Sequence, residues 1–252
     1  MATKTKTKSK VQAPVADDGV GGNYPRRHAR QDGLAPYAVL QRTACTVVGC
    51  GAVGRQVMLQ LASLGPATVT VFDRDDVEEV NFGVQMYGPN DIGRKKVDVT
   101  AADCQRMNPD VEYRVWPHHF DRAQGAATQG AYVFSCVDNM DARRLIFDQA
   151  VANEATWFGD CRVLGEDARV ITFKLTPESI ARYRATLFAQ AEQMAGRCTE
   201  KLTVYMATYA ASVVVSKFAQ QIRGMDRPFE DVHHAIKVGA LVPYLPEETP
   251  VA

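Results

Sequence analysis

The 252-residue chain balances 29 Lys+Arg against 29 Asp+Glu, with 46% apolar and 23% charged residues. This is the composition of an ordinary globular protein long enough to bury one substantial core, and its zero net charge argues against nucleic acid as a partner. No apolar run is long enough to span a bilayer: the best, Val204–Val215, is short and contains Thr208 and Ser212.

The amino-terminal stretch MATKTKTKSK has four lysines and no apolar segment, so it is no secretory signal. Residues 1–24 read as a basic tail that cannot bury enough surface to offset chain entropy. The segment Arg26-Arg-His-Ala-Arg-Gln31 follows, then a Gly/Pro loop. Cys45–Gly49 reads as a buried strand, Ala52–Leu64 as a helix stopped by Gly65-Pro66, and Thr68–Asp73 as a second apolar strand. Between the first strand and the helix, Gly49, Gly51 and Gly54 fit G-x-G-x-x-G, with Asp73 at the end of the second strand. In a βαβ unit this spacing marks a nucleotide site. The glycines allow a tight turn, a close phosphate approach and helix–strand packing, and the acidic residue takes ribose hydroxyls.

An acidic, irregular loop is expected over Arg74–Gly93. Further elements are a helix over Arg94–Met107, strands over Val111–Trp116 and Ala131–Cys136, and a helix over Asp141–Asn153. Two strands, Thr156–Asp160 and Ala168–Leu175, precede a helix from Pro177 to about Ala195. A mostly apolar helix over Leu202–Ile222 and a strand-like stretch over Phe229–Val242 close the chain. Alternation of strands and helices through the first 160 residues predicts a Rossmann-like α/β fold. Its sheet would be mainly parallel and flanked by helices, with a C-terminal helix and antiparallel extension. The six cysteines form no C-x-x-C pair, which argues against structural zinc and for a reducing, cytoplasmic setting.

The stretch after the second strand is more specific than a dehydrogenase requires. Asp73-Arg-Asp75-Asp-Val-Glu-Glu-Val-Asn81-Phe-Gly-Val84-Gln85 is followed by Gly93-Arg-Lys-Lys96-Val and, after a later strand, by Asp138-Asn139-Met-Asp-Ala-Arg143. With Arg27-His-Ala-Arg30-Gln31 upstream, these motifs resemble the ThiF/MoeB family, which includes the adenylation domains of ubiquitin-activating enzymes. The resemblance covers about Arg27 to Gly224 and implies that residues 25–252 form one ThiF-like adenylation domain. It further implies an ATP-dependent adenylyltransferase, in which the C-terminal carboxylate of a small ubiquitin-like or sulfur-carrier protein attacks the α-phosphate of Mg·ATP.

By that resemblance Gly49, Gly51, Gly54, Asp73, Asp75, Asn81, Gln85 and Asn139 bind nucleotide, Lys96 and Arg30 supply positive charge, and Asp138 holds Mg2+. The family arginine matching Arg30 enters from the other subunit of a homodimer. Cys198, just before the long apolar helix, lies where many relatives carry a cysteine that accepts the acyl group as a thioester. The chain departs from the family at Val84, where a phosphate-contacting arginine is expected. Two alternatives stay open: activation of another carboxylate, on a modified tRNA nucleoside or a peptide, and a non-catalytic nucleotide-binding dimer. From the residues alone, Asp138-Asn139 could be a helix cap, Arg143 a surface charge, and Arg162 either a residue of the acyl channel or the partner of Asp160 or Glu166.

Overall fold

The computed structural model describes residues 26–188, 202–225, 229–235 and 240–243; the basic tail 1–24 and Cys198 lie outside the described residues. After a series of turns comes a short helix, α1 (Tyr37–Leu40), then β1 (Ala44–Val48), α2 (Ala52–Leu64) and β2 (Thr68–Phe72). A winding segment carries α3 (Phe82–Gln85) and leads to α4 (Lys96–Met107) and β3 (Glu112–Trp116). Next are β4 (Tyr132–Ser135), α5 (Met140–Ala152), β5 (Trp157–Leu164), β6 (Asp167–Lys174) and α6 (Pro177–Arg184). The last described elements are α7 (Val204–Ile222), β7 (Phe229–Ala235) and β8 (Ala240–Pro243).

The eight strands among the described residues join one sheet in the order β3-β2-β1-β4-β5-β6-β7-β8. The first five are parallel, with registers such as Val48↔Phe72 and Val48↔Ser135. From β5 onward the pairing is antiparallel. Helices cover both faces, which is why β1 and β2 read as near-continuous apolar runs rather than alternating ones. On one face, α2, α4 and α7 bury Val57, Met58, Leu61, Val97, Ala211 and Phe218 in one apolar cluster with the sheet, Phe218 of α7 meeting Tyr132, Phe134 and Trp157 of β4 and β5. On the other, Ile146 and Phe147 of α5 and Tyr183 of α6 pack on Phe72, Val133, Phe158 and Phe173. No helix among the described residues is long and apolar enough to cross a membrane.

Three expectations change. The 74–93 segment is more ordered than an irregular loop: it holds α3 and two single 3-10 turns, and it is closed at its base. Val77 N–H donates to Arg94 O at 2.9 Å, and Gly93 N–H donates to Val77 O at 3.0 Å. The strand begun at Trp157 runs on to Leu164, because residues 161–164 pair with β6 across a hairpin. The helix begun at Pro177 stops at Arg184, and positions 189–195 of the expected helix lie outside the described residues. The Arg162 guanidinium holds Thr186 through its carbonyl at 2.9 Å and its hydroxyl at 2.8 Å, which draws the chain off the helical path.

Arg143 is the fourth correction. It is no surface charge: its side chain is 4% exposed and forms an ion pair with Asp160, which is itself fully buried. Asp160 also accepts from Arg162 Nε at 2.8 Å and from the Tyr183 hydroxyl at 3.0 Å, so Arg162 takes Asp160 rather than Glu166. Arg143 additionally donates to the carbonyls of Val137 and Cys161. Burial pulls the Arg143 guanidinium down to about 10, still charged at neutral pH. One carboxylate therefore joins α5, β5 and α6 directly beneath the 136–139 turn.

Removing that carboxylate would leave two largely buried cations without their counter-charge. Asp160→Ala is expected to cost about 3–5 kcal/mol in urea unfolding. Asp148→Ala, which breaks an exposed 3.6 Å pair with Arg184, should cost less than about 1 kcal/mol. Equal small losses in the two variants would refute the structural role of the cluster.

Candidate functional site

The strand order reverses between β1 and β4, so the crevice outside their carboxyl ends is where an open α/β sheet takes a ligand. The glycine turn after β1 lines it. Gly49 has φ +92°, and a Cβ there would meet the Cys136 carbonyl oxygen at 2.7 Å. A Cβ on Gly54 would sit 1.8 Å from the Gly49 carbonyl oxygen. These two glycines bring α2, the turn and the 136–139 segment together. Gly51, the N-cap of α2, has nothing within 4 Å of a Cβ position. It is an open approach to the first turn of a 13-residue helix whose leading N–H groups favour an anion.

Asp73 stands at the end of β2 and braces this turn. Its Oδ2 accepts from Cys50 N–H at 2.6 Å and its Oδ1 from Asp75 N–H at 2.8 Å. Burial raises its carboxyl above the ordinary aspartate range, and the two backbone donors pull it partly back. Capping the turn and facing the crevice are thus one position with two uses. Beyond it, Lys96 N–H donates to Asp75 O at 3.0 Å, and Lys96 Nζ reaches Asp75 Oδ2 at 3.2 Å. The Lys96 side chain is 8% exposed. Lys95 is engaged elsewhere, with Asp76 at 2.8 Å and the Arg74 carbonyl at 2.9 Å. Of the two adjacent lysines, Lys96 is the one whose ammonium lies buried beside Asp75.

A polar cleft of about 390 Å3 opens here, lined by Arg74, Asp75, Asp76, Glu78, Asn81 and Lys96. Asn81 is buried, and its Oδ1 accepts from Glu78 N–H at 2.8 Å, which fixes its amide at the cleft wall. Gln85 does not line this cleft; its Oε1 is buried with no hydrogen-bond partner, a cost on the order of 1–3 kcal/mol. Val84 packs its side chain against the core instead of presenting a polar group. Sequence reasoning missed Arg74, for which motif position offered no signal. It also missed Arg55, which is buried and donates to Thr100, the Met86 carbonyl and Asp103, while lying 4.3 Å from the Tyr87 ring centre. Arg55 pins α2 to the segment carrying α3.

On the other bank, Asp138 is exposed at the carboxyl end of β4. Asn139 caps α5, its Oδ1 accepting from the N–H groups of Asp141 and Ala142, both at 2.9 Å. Arg30 is not brought to this crevice. It is exposed, and its neighbours are tied to the far end of α2: Gln31 Nε2 donates to Ser63 O at 2.8 Å, and the His28 ring stacks on Tyr37 beside Gly65. Thirteen helical residues separate the two ends by about 18–20 Å. The described cysteines are all free thiols, and four of the five are buried. Burial pushes the Cys50 thiol, between the glycines, up to about 12, which leaves no nucleophile there.

Comparison with known proteins gives the same picture. A family model described as ThiF family matches residues 26–238. Ubiquitin-like modifier-activating enzyme 5 of Caenorhabditis briggsae is 25% identical over 264 aligned positions, covering 95% of this chain and 59% of that protein. The enzyme of the same name from Bombyx mori is 31% identical over 135 residues, 48% of this chain and 34% of its own length. The chain thus spans between a third and three-fifths of these relatives. Among solved structures, PaaA superposes with a TM-score of 0.71 at 18% identity, covering 90% of this chain and 75% of PaaA. The Escherichia coli tRNA N6-threonylcarbamoyladenosine dehydratase in complex with ATP superposes at 0.66 and 17% identity, covering 82% of this chain and 97% of that one. At these identities the superpositions establish the fold.

The environments of Gly51 and Gly54 make opposite predictions. Gly54→Ala forces backbone apart at the centre of the site and should lower the thermal midpoint by several degrees, a penalty of roughly 1–3 kcal/mol. Gly51→Ala enters open space and should stay within about 0.5 kcal/mol of the unsubstituted protein. Calorimetry showing equal midpoints for the two variants would contradict this packing.

Proposed function

The chain belongs to the ThiF family, and from that premise we propose that it is an ATP-dependent adenylyltransferase. Its substrate is the C-terminal carboxylate of a small ubiquitin-like or sulfur-carrier protein. The observation that carries this reading is the buried Lys96 ammonium in a polar cleft, one residue's reach from an Asp73-braced glycine turn. A hydride-transfer site would have no use for Asn81, Gln85, Lys96 and Asp138 as a set. The printed names of the sequence relatives, activating enzymes for ubiquitin-like modifiers, favour a small protein as carboxylate donor.

In this reading a carboxylate oxygen attacks the α-phosphorus of ATP. The bond to the bridging oxygen breaks, and pyrophosphate leaves with that oxygen's electron pair. Asp73 receives the ribose hydroxyls, and the open face at Gly51 admits phosphate to the helix N-terminus. Lys96 exchanges Asp75 for phosphate oxygens and offsets charge that grows on the leaving group. Asn81, Gln85 and Asn139 border the polyphosphate and donate to it from their side-chain amides, and Asp75 borders the nucleotide as the carboxylate that releases Lys96. Mg2+ would be held by Asp138, where it supplies charge neutralisation. An exposed single carboxylate suits an ion that keeps several waters and shares substrate phosphates.

Arg30 is the second cation, and its position at the far end of α2 supports action in the partner's site within a homodimer. The Cys198 thiolate then attacks the carbonyl carbon of the acyl-adenylate, the acyl C–O bond breaks, and AMP leaves as the thioester forms. The buried, high-pKa thiol of Cys50 is a poor rival for that role. Free thiols at the described cysteines agree with a cytoplasmic setting.

The test is ATP–pyrophosphate exchange with a small β-grasp protein, a peptide or tRNA as carboxylate source. Exchange only with the β-grasp protein is expected. Exchange only with peptide or tRNA moves the reading to another carboxylate, and ATP binding without any exchange supports a non-catalytic dimer. Lys96→Ala and Asp138→Ala should each lower exchange at least a hundredfold. Mixing inactive Arg30→Ala with inactive Asp138→Ala protein should restore about a quarter of the activity, since half of randomly formed dimers would then own one intact site. No recovery on mixing would rule out action across the dimer. Cys198→Ala should retain exchange and lose any thiol-reducible adduct; an adduct that persists in this variant removes Cys198 from the pathway.

A further inference from the structure

The cleft beside Lys96 is short of positive charge for a polyphosphate. Its charged lining is Arg74 and Lys96 against Asp75, Asp76 and Glu78. Lys96 is already committed to Asp75 at 3.2 Å, and Lys95 to Asp76 at 2.8 Å. The position where the family sequence pattern supplies an arginine is Val84, whose side chain packs on the core and can offer no charge. Val84 sits on α3, which packs against α2 and α7.

Arg74 is the cation of this cleft with the weakest commitment. Its Nε lies 3.6 Å from Asp75 Oδ1, longer than a hydrogen bond, and its side chain is 62% exposed. Its backbone is held firmly: Lys95 Nζ binds its carbonyl at 2.9 Å, and Asp73 and Asp75 on either side are joined by the 2.8 Å bond from Asp75 N–H. A fixed main chain beneath a loosely engaged guanidinium is the condition under which an arginine can turn to an incoming anion at small cost. The planar fork suits phosphate oxygens in pairs.

We propose that Arg74 contacts the polyphosphate of the bound nucleotide and supplies the positive charge that Val84 does not. The inference rests on the ATP reading given above. Arg74 turns from Asp75 toward the phosphates as Lys96 does. The role is specific to charge: it grows with the number of phosphates and is indifferent to the base.

Titration calorimetry on the full chain, at fixed Mg2+ and without carboxylate substrate, tests this with ATP, AMP and adenosine. Arg74→Gln is expected to weaken ATP binding about tenfold and adenosine binding less than twofold, with AMP between them. Arg74→Lys should recover most of the ATP affinity, and raising salt should narrow the gap between the parent protein and Arg74→Gln. Unchanged ATP affinity in Arg74→Gln overturns the inference and leaves the ATP reading standing. Equal weakening for adenosine and ATP also overturns it, because the arginine would then act on the base. A parent protein that does not bind ATP overturns both readings together. As Arg74 is exposed, its variants should unfold within about 0.5 kcal/mol of the parent, so a loss of affinity will not be a loss of fold.

Discussion

The approach of α2 to the turn that precedes it governs the rest of this molecule. The Gly49 carbonyl oxygen occupies space that any side chain at position 54 would need, and the Cys136 carbonyl does the same at position 49. Three backbone segments, from β1, α2 and the end of β4, are therefore stacked without side chains between them. This contact points the N-terminus of α2 into the crevice where the strand order reverses. It also lets Asp73 reach the Cys50 N–H at 2.6 Å. The N–H groups that the first turn of α2 turns toward the crevice are placed there by backbone geometry, with side chains arranged around them.

Charge beneath and beside that backbone is treated in two different ways. Under the 136–139 turn, Arg143, Asp160, Arg162 and Tyr183 form a closed, buried set in which the central carboxylate is fully occupied. Such a set resists rearrangement, because separating its members would leave buried charges unpaired. In the 390 Å3 cleft the pairs are open to solvent on one side: Asp75 is 52% exposed and holds Lys96 at 3.2 Å. Pairs of this kind exchange partners at low cost. The molecule keeps a rigid floor under Asp138 and a responsive wall around Lys96, a division suited to a ligand that arrives with its own charge.

The segment 74–95 illustrates how a loop can be held by its base. Main-chain bonds between Val77, Gly93 and Arg94 close it, and Arg55 reaches in from α2 to bind the Met86 carbonyl. Val84 then serves as an apolar anchor for α3. The exchange of a family arginine for valine strengthens packing and weakens charge at the same place. That is the physical reason to look for the missing cation elsewhere on the same wall.

Much of this was legible in the sequence. Hydrophobic runs and glycine or proline stops located the parallel strands and their helices, because strands buried on both faces leave a strong local signature. Spacing alone placed Gly49, Gly51, Gly54 and Asp73 in one turn, since the βαβ unit is a local structure. Other features depend on residues far apart in the chain, and only the tertiary structure decided them. Arg143 looked like any arginine on a helix until α5 was laid over β5, where Asp160 waits. The helix from Pro177 ended early because Arg162, more than twenty residues before, holds Thr186. Lys96 was separated from Lys95 by burial, which adjacent residues of one type cannot reveal. The distance of Arg30 from the crevice is set by where Gln31 and His28 meet the end of α2. The sequence determined which chemistry-bearing groups exist and which local turns carry them. The folded chain decided which charges are spent on each other and which are left for a ligand, because that depends on the neighbours each side chain acquires across the sheet.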